Sequence, residues 1–342
     1  MDDFHHAGYA KVVCAVERPE DLAGRIQACI SKMTASDCAP IVLFTYNRPS
    51  HTRRTVEALR RNALADASDL IVYSDAPASA DQVDGVRETR EYVRGIGGFR
   101  SVTVVERTAN LGLARSIIDG VTTIVNKYGR IIVLEDDLIT SPRFLEYMNS
   151  ALEKYAHEER VMQISGYMFP VELQTIQEAF FLPLTTSWGW ATWQRAWQMF
   201  DQDAKGYALV KADLALRKRF NLDGAYDYFS MLEDQLAGRV DSWAVRWQLA
   251  TFLKDGLTLY PRHSLVTNAG FDGSGTHGGM RGPLSLSGAR DEFVPMHFPE
   301  EIVVGAPWKI VCSRLRARLS WAERIRRWLR TLAHQVYWRR TK

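Results

Sequence analysis

The chain has 342 residues, 46% hydrophobic and 24% charged, which suits one large folded domain or two and excludes a disordered or fibrous polymer. The net charge of +3 hides an asymmetry: eleven of the 43 basic residues, but one of the 40 acidic ones, lie from Trp308 onward, leaving the remainder at −7. Charge therefore speaks only of the tail's partner. Four cysteines, at 14, 29, 38 and 312, form no C-x-x-C pair, which argues against a disulfide framework or zinc knuckle and for a reduced, cytoplasmic setting. The first residues lack the basic and apolar regions of a signal peptide, and no apolar run approaches the ~20 residues that span a bilayer.

Residues 1–38 read as an N-terminal extension, with a short helix from Pro19 to Met33 in which Leu22, Ile26 and Ile30 recur at helical spacing. His5 and His6 suit a flexible terminus better than a metal site. From Ala39 the pattern sharpens. Pro40 to Thr45 is a strand, Tyr46 to Ser50 a turn, and Thr52 to Asn62 a helix with Val56 and Leu59 inward. Asp69 to Tyr73 is a second strand, ended by Ser74-Asp75-Ala76-Pro77, and a helix follows from Ala80 to Arg94. Ser101 to Glu106 is a third strand, and Asn110-Leu111-Gly112 opens a helix through Lys127. The fourth strand starts at Arg130, and Ser141-Pro142 marks the next helix, with Ser as the cap and Pro in the first turn. Alternating strands and helices with crossovers of this length predict a Rossmann-like, mostly parallel α/β sheet over residues 39–170. Val161 to Ser165 and Phe180 to Leu184 read as further strands. Residues 171–307 then become Trp-rich and less regular, as an acceptor-binding half of the same domain would be.

The fourth strand carries the chemistry. Arg130-Ile131-Ile132-Val133-Leu134 runs straight into Glu135-Asp136-Asp137. Three carboxylates at the carboxyl end of a buried strand lie where open α/β sheets bind ligands, and they repel one another unless a cation offsets them. One or two of them holding Mg²⁺ or Mn²⁺, with a diphosphate completing the shell, fits that chemistry. There is no G-x-G-x-x-G after the first strand and no G-x-x-x-x-G-K-[ST] anywhere, which weighs against a dinucleotide dehydrogenase or a P-loop enzyme.

Other candidates stand at the same edge. Asp75 could accept from the imide N–H of a uracil, or serve only a turn. Asn110 and Arg115 flank a helix start that suits a nucleobase or phosphate, with Asn110 as a plain cap the competing reading. Thr45, Asn47 and Arg48 complete a nucleotide cradle. Trp188, Trp190, Trp193 and Trp197 form an aromatic-dense stretch, of which one or two would reach the site, with Gly189 letting a ligand approach the backbone. Asp241, Glu233 and Asp234 are rival general bases. The segment Asn268 to Gly279 holds five glycines, excludes helix and could wrap a diphosphate, with His277 ligating the metal or donating to phosphate.

With those residues in hand, the chain resembles the GT-A-fold nucleotide-sugar glycosyltransferases. Pro40 to Asn47 is similar to the opening strand of the family 2 transferases. Glu135-Asp136-Asp137-Leu138 resembles the D-x-D motif of the N-acetylglucosaminyltransferase I family. Gly189-Trp190, Asp241-Ser242-Trp243 and the Ser274 to Gly278 loop match that family in the same order, so that the resemblance covers about residues 40–280. It implies an inverting transfer from a UDP-sugar, with Asp137 as the direct metal ligand. It also implies that Glu135, Asp136 and Trp190 meet the nucleotide sugar, that Asp75 meets the uracil and that Asp241 is the base. The family has Asp-Asp-Trp where this chain has Asp241-Ser242-Trp243, so Asp241 is either the base or its neighbour.

From Val311, the residues Leu315, Leu319, Ile325, Trp328, Leu329, Leu332 and Val336 recur at helical spacing among arginines. Residues 308–342 therefore read as a basic amphipathic helix for an anionic membrane surface, and the acceptor as a glycan or lipid-linked precursor of cell-surface polysaccharide. No nucleic-acid module accompanies that charge. The alternatives are a sugar nucleotidyltransferase, which usually needs a Gly-rich basic loop after the first strand, and a non-catalytic, membrane-associated sugar-binding protein.

Overall fold

A computed structural model describes residues 38–272, Phe293, Pro295 and 297–318. The apolar runs become strands β1 (Ile41–Thr45), β2 (Asp69–Ser74), β3 (Ser101–Glu106) and β4 (Arg130–Glu135). Consecutive apolar residues are tolerated in β1, β2 and β4 because both of their faces are covered. Between them run α1 (Pro49–Arg60), α2 (Val83–Arg94) and α3 (Leu113–Tyr128). Helix α3 spaces Ala114, Ile117, Val121 and Ile124 three or four apart, and this stripe packs with Val42, Phe44, Ile71 and Tyr73 of the sheet.

Strand β5 (Leu138–Thr140) and α4 (Phe144–Lys154) follow, then β6 (Val161–Ser165), β7 (Ala179–Leu182), β8 (Trp190–Trp193), β9 (Leu257–Pro261) and β10 (Val266–Asn268). Eight strands form one sheet in the order β3-β2-β1-β4-β8-β6-β9-β7, while β10 and β5 pair as a separate two-stranded ribbon. The first four strands are parallel, so their carboxyl ends share one edge; β8 runs antiparallel beside β4. This is the GT-A-type α/β architecture read from the sequence, and one sheet runs through both halves of it.

Helices α5 (Gln194–Trp197), α6 (Tyr207–Ala212), α7 (Leu214–Phe220), α8 (Tyr228–Leu236) and α9 (Trp243–Phe252) fill the chain between β8 and β9. Val210, Phe220, Phe229, Leu232, Val245 and Leu249 give α6 to α9 a core of their own.

Two expectations are corrected. Ser141 does not cap a helix: it follows directly on β5, and α4 opens three residues later with Arg143 in the cap position. The Ser141 backbone N–H is used instead by Leu265 O at 2.8 Å. The apolar stripe of the tail is also partly spent on the body. Helix α10 (Pro307–Arg318) buries Val311, Cys312 and Leu315 and contacts β7 and the turn at Leu222–Gly224, where Arg316 donates to Asp223 O at 2.8 Å. Upstream, Val304 bridges to Phe181, and the Tyr155 hydroxyl donates to Pro299 O at 2.7 Å. The rest of the tail, from residue 319, lies outside the described residues. Among the described residues, no helix is long and apolar enough to cross a membrane.

Candidate active site

Strand β4 delivers Glu135 at its last position, and Asp136 and Asp137 make the turn into β5. Helix α1 braces this turn, with the Thr55 hydroxyl donating to Asp136 O at 2.8 Å. Arg48, just before α1, bridges both aspartates through one guanidinium nitrogen, pairing with Asp136 Oδ1 and lying 3.0 Å from Asp137 Oδ2. Burial pulls the Arg48 pKa down, but the two carboxylates outweigh it and hold it above its ordinary value.

One cation does not offset three carboxylates. Burial, then Asp137 and Asp136, push Glu135 up to about 8 against the pull of Arg48. Burial raises Asp136 to about 6, again against Arg48. Among the described residues, Asp136 Oδ2 is buried and has no hydrogen-bond partner. A buried, unpartnered carboxylate oxygen beside two further acids is a donor set suited to a hard divalent cation. Among the described residues no three His, Cys, Asp or Glu side chains converge as a closed metal cage. A site of this kind takes one or two carboxylates and completes its shell with phosphate and water. The residues present fit Mg²⁺ or Mn²⁺ at Asp136 and Asp137.

The glycine-rich segment enters over this turn. β10 pairs antiparallel with β5, setting Asn268 opposite Leu138. The next residue, Ala269, donates its N–H to Asp137 O at 2.8 Å, and Gly270 N donates to Asn268 Oδ1 at 2.7 Å. A Cβ on Gly270 would stand 2.2 Å from Asp137 Oδ2, so any larger residue there would displace that carboxylate or the loop. Asp272 then reaches His51 of α1, with Oδ2 2.9 Å from Nε2. His277 lies outside the described residues.

At the neighbouring strand ends, Asp75 is a tie. Its two carboxylate oxygens accept N–H groups from Ala76, Leu111 and Gly112 at 2.9 to 3.1 Å, which pins the loop before α3 to the end of β2. A base seated here would meet the loop that Asp75 holds rather than a free carboxylate. Asn110 is not the helix cap, a position that Gly112 fills; its amide donates to Ala76 O at 2.6 Å and fastens the same two loops. Arg115 is exposed in the first turn of α3, and Asn47 is partly buried in the turn after β1. Thr45 is buried, with its hydroxyl 3.3 Å from Tyr73 O.

The three rival bases separate. Glu233 accepts from the Tyr207 hydroxyl at 3.1 Å, and Asp234 pairs with Arg239 at 2.6 Å. Asp241 is exposed, 3.7 Å from Arg246, and its Oδ2 stands 3.9 Å from where a Cβ on Gly112 would be. Ser242 accepts from Val245 N and is the true cap of α9, so Asp241 is not held in a capping role.

Trp190 is corrected. It is 1% exposed and packs on Trp243, Trp197 and Trp247 at 5.1 to 6.5 Å between ring centroids, in the core. Trp188, two residues earlier, is partly exposed and faces Tyr167 and Phe271 at 4.6 and 5.6 Å. Gly189 separates them with a φ of +61°, and a Cβ there would meet Val266 Cγ1 at 2.9 Å. The aromatic density was evident in the sequence, but nothing in it said which ring faces outward.

Residues 41–175 match the glycosyl transferase family 2 model. Over that stretch the chain is similar to the family 2 glycosyltransferases. The matched stretch holds β1 to β6 with the acidic turn, whereas Trp188, Asp241 and β10 lie beyond it. Two solved structures are similar. A mannosyltransferase from Pyrobaculum calidifontis, in complex with GDP-Man and Mn²⁺, is 14% identical, with 69% of this chain and 81% of that one covered and a TM-score of 0.35. A UDP-glucose pyrophosphorylase complexed with UDP-glucose is 11% identical, with 65% and 90% covered and a TM-score of 0.32. No curated protein matches the chain.

The raised acids of this glycosyltransferase imply a pH dependence. A carboxyl group whose pKa is higher folded than unfolded favours the folded state below its unfolded value and loses that advantage as pH rises. Glu135 goes from an ordinary 4.5 to about 8, so the metal-free enzyme should lose stability progressively between those values. Thermal melts in chelator should fall over that window, and Glu135→Gln should flatten the decline. A wild-type profile unaffected by that change would show Glu135 ionised throughout.

Proposed function

We propose that this glycosyltransferase is a metal-dependent, inverting enzyme that moves a sugar from a UDP-sugar to a glycan or lipid-linked acceptor in cell-surface polysaccharide synthesis. The observation that carries the reading is the turn at Asp136 and Asp137, with a carboxylate oxygen unpartnered among the described residues and a loop packed so closely on it that a Cβ at Gly270 would meet Asp137 Oδ2. Asp137 and Asp136 would hold Mg²⁺ or Mn²⁺. Bound there, the cation would offset the charge that builds on the departing diphosphate.

The chain's own groups supply the rest. Arg48 fixes the two aspartates and reduces their mutual repulsion. The loops fastened by Asp75 and Asn110 form the edge against which the nucleotide rests. Asp241 is the base assigned to take the acceptor hydroxyl's proton as that oxygen attacks the anomeric carbon in line, because it alone of the three stands beside the loop at Gly112, and its ion pair, with Arg246 at 3.7 Å, is looser than the contacts of Glu233 and Asp234. A nucleotidyltransferase is disfavoured: the turn after β1 offers one arginine, and that arginine is committed to the acids. The basic, Trp-containing residues 319–342 are the basis for assigning peripheral contact with an anionic, cytoplasmic membrane face.

The test is a thermal-shift screen of UDP- and GDP-sugars with and without Mn²⁺. Stabilisation that requires both the cation and a UDP-sugar is the expected result. Equal stabilisation without the cation would remove the metal from the reading, and a response to GDP-sugars alone would replace the nucleotide.

A further inference from the structure

Four tryptophans lie between residues 188 and 197, and three of them are at most 4% exposed: Trp190, Trp193 and Trp197. Trp188 alone of the four is partly exposed. Its plane is fixed by two rings at steep angles, Tyr167 at 71° and Phe271 at 66°. Tyr167 is itself 2% exposed and packs on Phe169 at 5.2 Å, so it anchors the indole from the core side. The aromatic surface left open belongs to Trp188 and Phe271.

That surface adjoins the acids. Phe271 is two residues beyond Ala269, whose N–H binds Asp137 O, and one beyond Gly270, where an added Cβ would meet Asp137 Oδ2. Gly189 turns Trp188 away from the core and packs against Val266 of β10, the strand that leads into the same loop. A rigid, partly exposed indole beside a cluster of carboxylates presents a flat apolar face with a polar border, the form of surface on which an amphipathic ring packs. The aliphatic C–H face of a pyranose ring matches it in size and polarity, while its hydroxyls reach the polar surroundings.

We infer that Trp188, with Phe271 as its side wall, is the platform on which a pyranose ring stacks beside the Asp136–Asp137 turn. The inference rests on the glycosyl-transfer reading and assigns it a sugar subsite. Donor and acceptor sugars offer the same ring chemistry, and the experiment separates them.

Saturation-transfer NMR on the full chain with Mg²⁺ uses two sets of probes: UDP-GlcNAc and UDP-glucose for the donor, and free methyl glycosides of glucose, GlcNAc, galactose and mannose, with UDP present, for the acceptor. Irradiating aromatic protons should transfer saturation to pyranose ring protons in one set. Trp188→Ala should reduce that transfer about tenfold, with Trp188→Phe retaining most of it and Phe271→Ala giving an intermediate loss. The uracil signals of UDP should not change in any variant. Pyranose protons that receive no saturation in either set, or as much in Trp188→Ala as in wild type, would overturn the platform. Absent uracil signals would instead count against the UDP reading, while the free glycosides would still report on Trp188. Trp188→Phe and Phe271→Ala keep the test valid should Trp188→Ala fail to fold.

Discussion

Replacing Asp137 with alanine should lower sugar transfer by on the order of 10²- to 10³-fold while leaving the melting temperature unchanged or slightly higher. The two halves of that expectation have separate causes. Asp137 gives up one contact with Arg48 at 3.0 Å, but Arg48 keeps its pairing with Asp136, so no buried charge is left without a partner. Its main-chain oxygen still receives the Ala269 N–H after substitution. Removing the carboxylate also removes one of the charges that push Glu135 up, which favours the fold at neutral pH. What the variant loses is a hard oxygen at the one place where cation and diphosphate would meet. Transfer assays, alongside melts with and without Mn²⁺, check both halves. Wild-type turnover would remove Asp137 from the chemistry, and an unfolded variant would make it a structural residue.

Much of this site could be read before any coordinates. Strands β1, β2 and β4 were legible to within a residue because buried parallel strands are continuous apolar runs between turn residues, and the edge strand β3 was legible from its β-branched run Val102-Thr103-Val104-Val105. The position of Glu135, Asp136 and Asp137 at a strand end followed directly. The short ribbon was not legible. Leu138-Ile139-Thr140 looks like the approach to a helix, since Ser141-Pro142 carries a helix-start signal, and only pairing with Val266-Thr267-Asn268 across more than a hundred residues turns it into a strand. No local pattern encodes a contact of that separation.

The side chains divide the same way. That Asp75 and Asn110 are ties rather than open ligand groups depends on which N–H and C=O groups the fold brings to them. The misassignment of Trp190 has a similar origin. In a stretch where nearly every residue is aromatic or small, the outward ring is chosen by one backbone angle, at Gly189, and by what β10 packs against it. Composition announces an aromatic site without saying which indole is open.

The second large effect is expected at Gly270. Its φ lies outside the left-handed region, so alanine is acceptable to the backbone and any effect is steric. The added methyl would stand 2.2 Å from Asp137 Oδ2, 3.0 Å from Asp137 Cγ and 3.1 Å from Asn268 Oδ1. Asp137 cannot simply swing aside, because Arg48 holds its carboxylate and Ala269 its main chain. Either the carboxylate leaves Arg48 or the loop lifts from the turn, at a cost of roughly 1–3 kcal/mol. Both outcomes disturb the cation's position, so Gly270→Ala should lose the Mn²⁺-dependent stabilisation by nucleotide sugar and most of its transfer activity, yet melt within a few degrees of wild type without ligand. The double variant separates this cause from general damage. With Asp137→Ala already present the severe contact is gone and only the 3.1 Å approach to Asn268 Oδ1 remains, so adding Gly270→Ala should cost little further, a strongly non-additive result for two residues in contact. Additive losses would mean that Gly270 acts elsewhere in the loop and not through the Asp137 carboxylate.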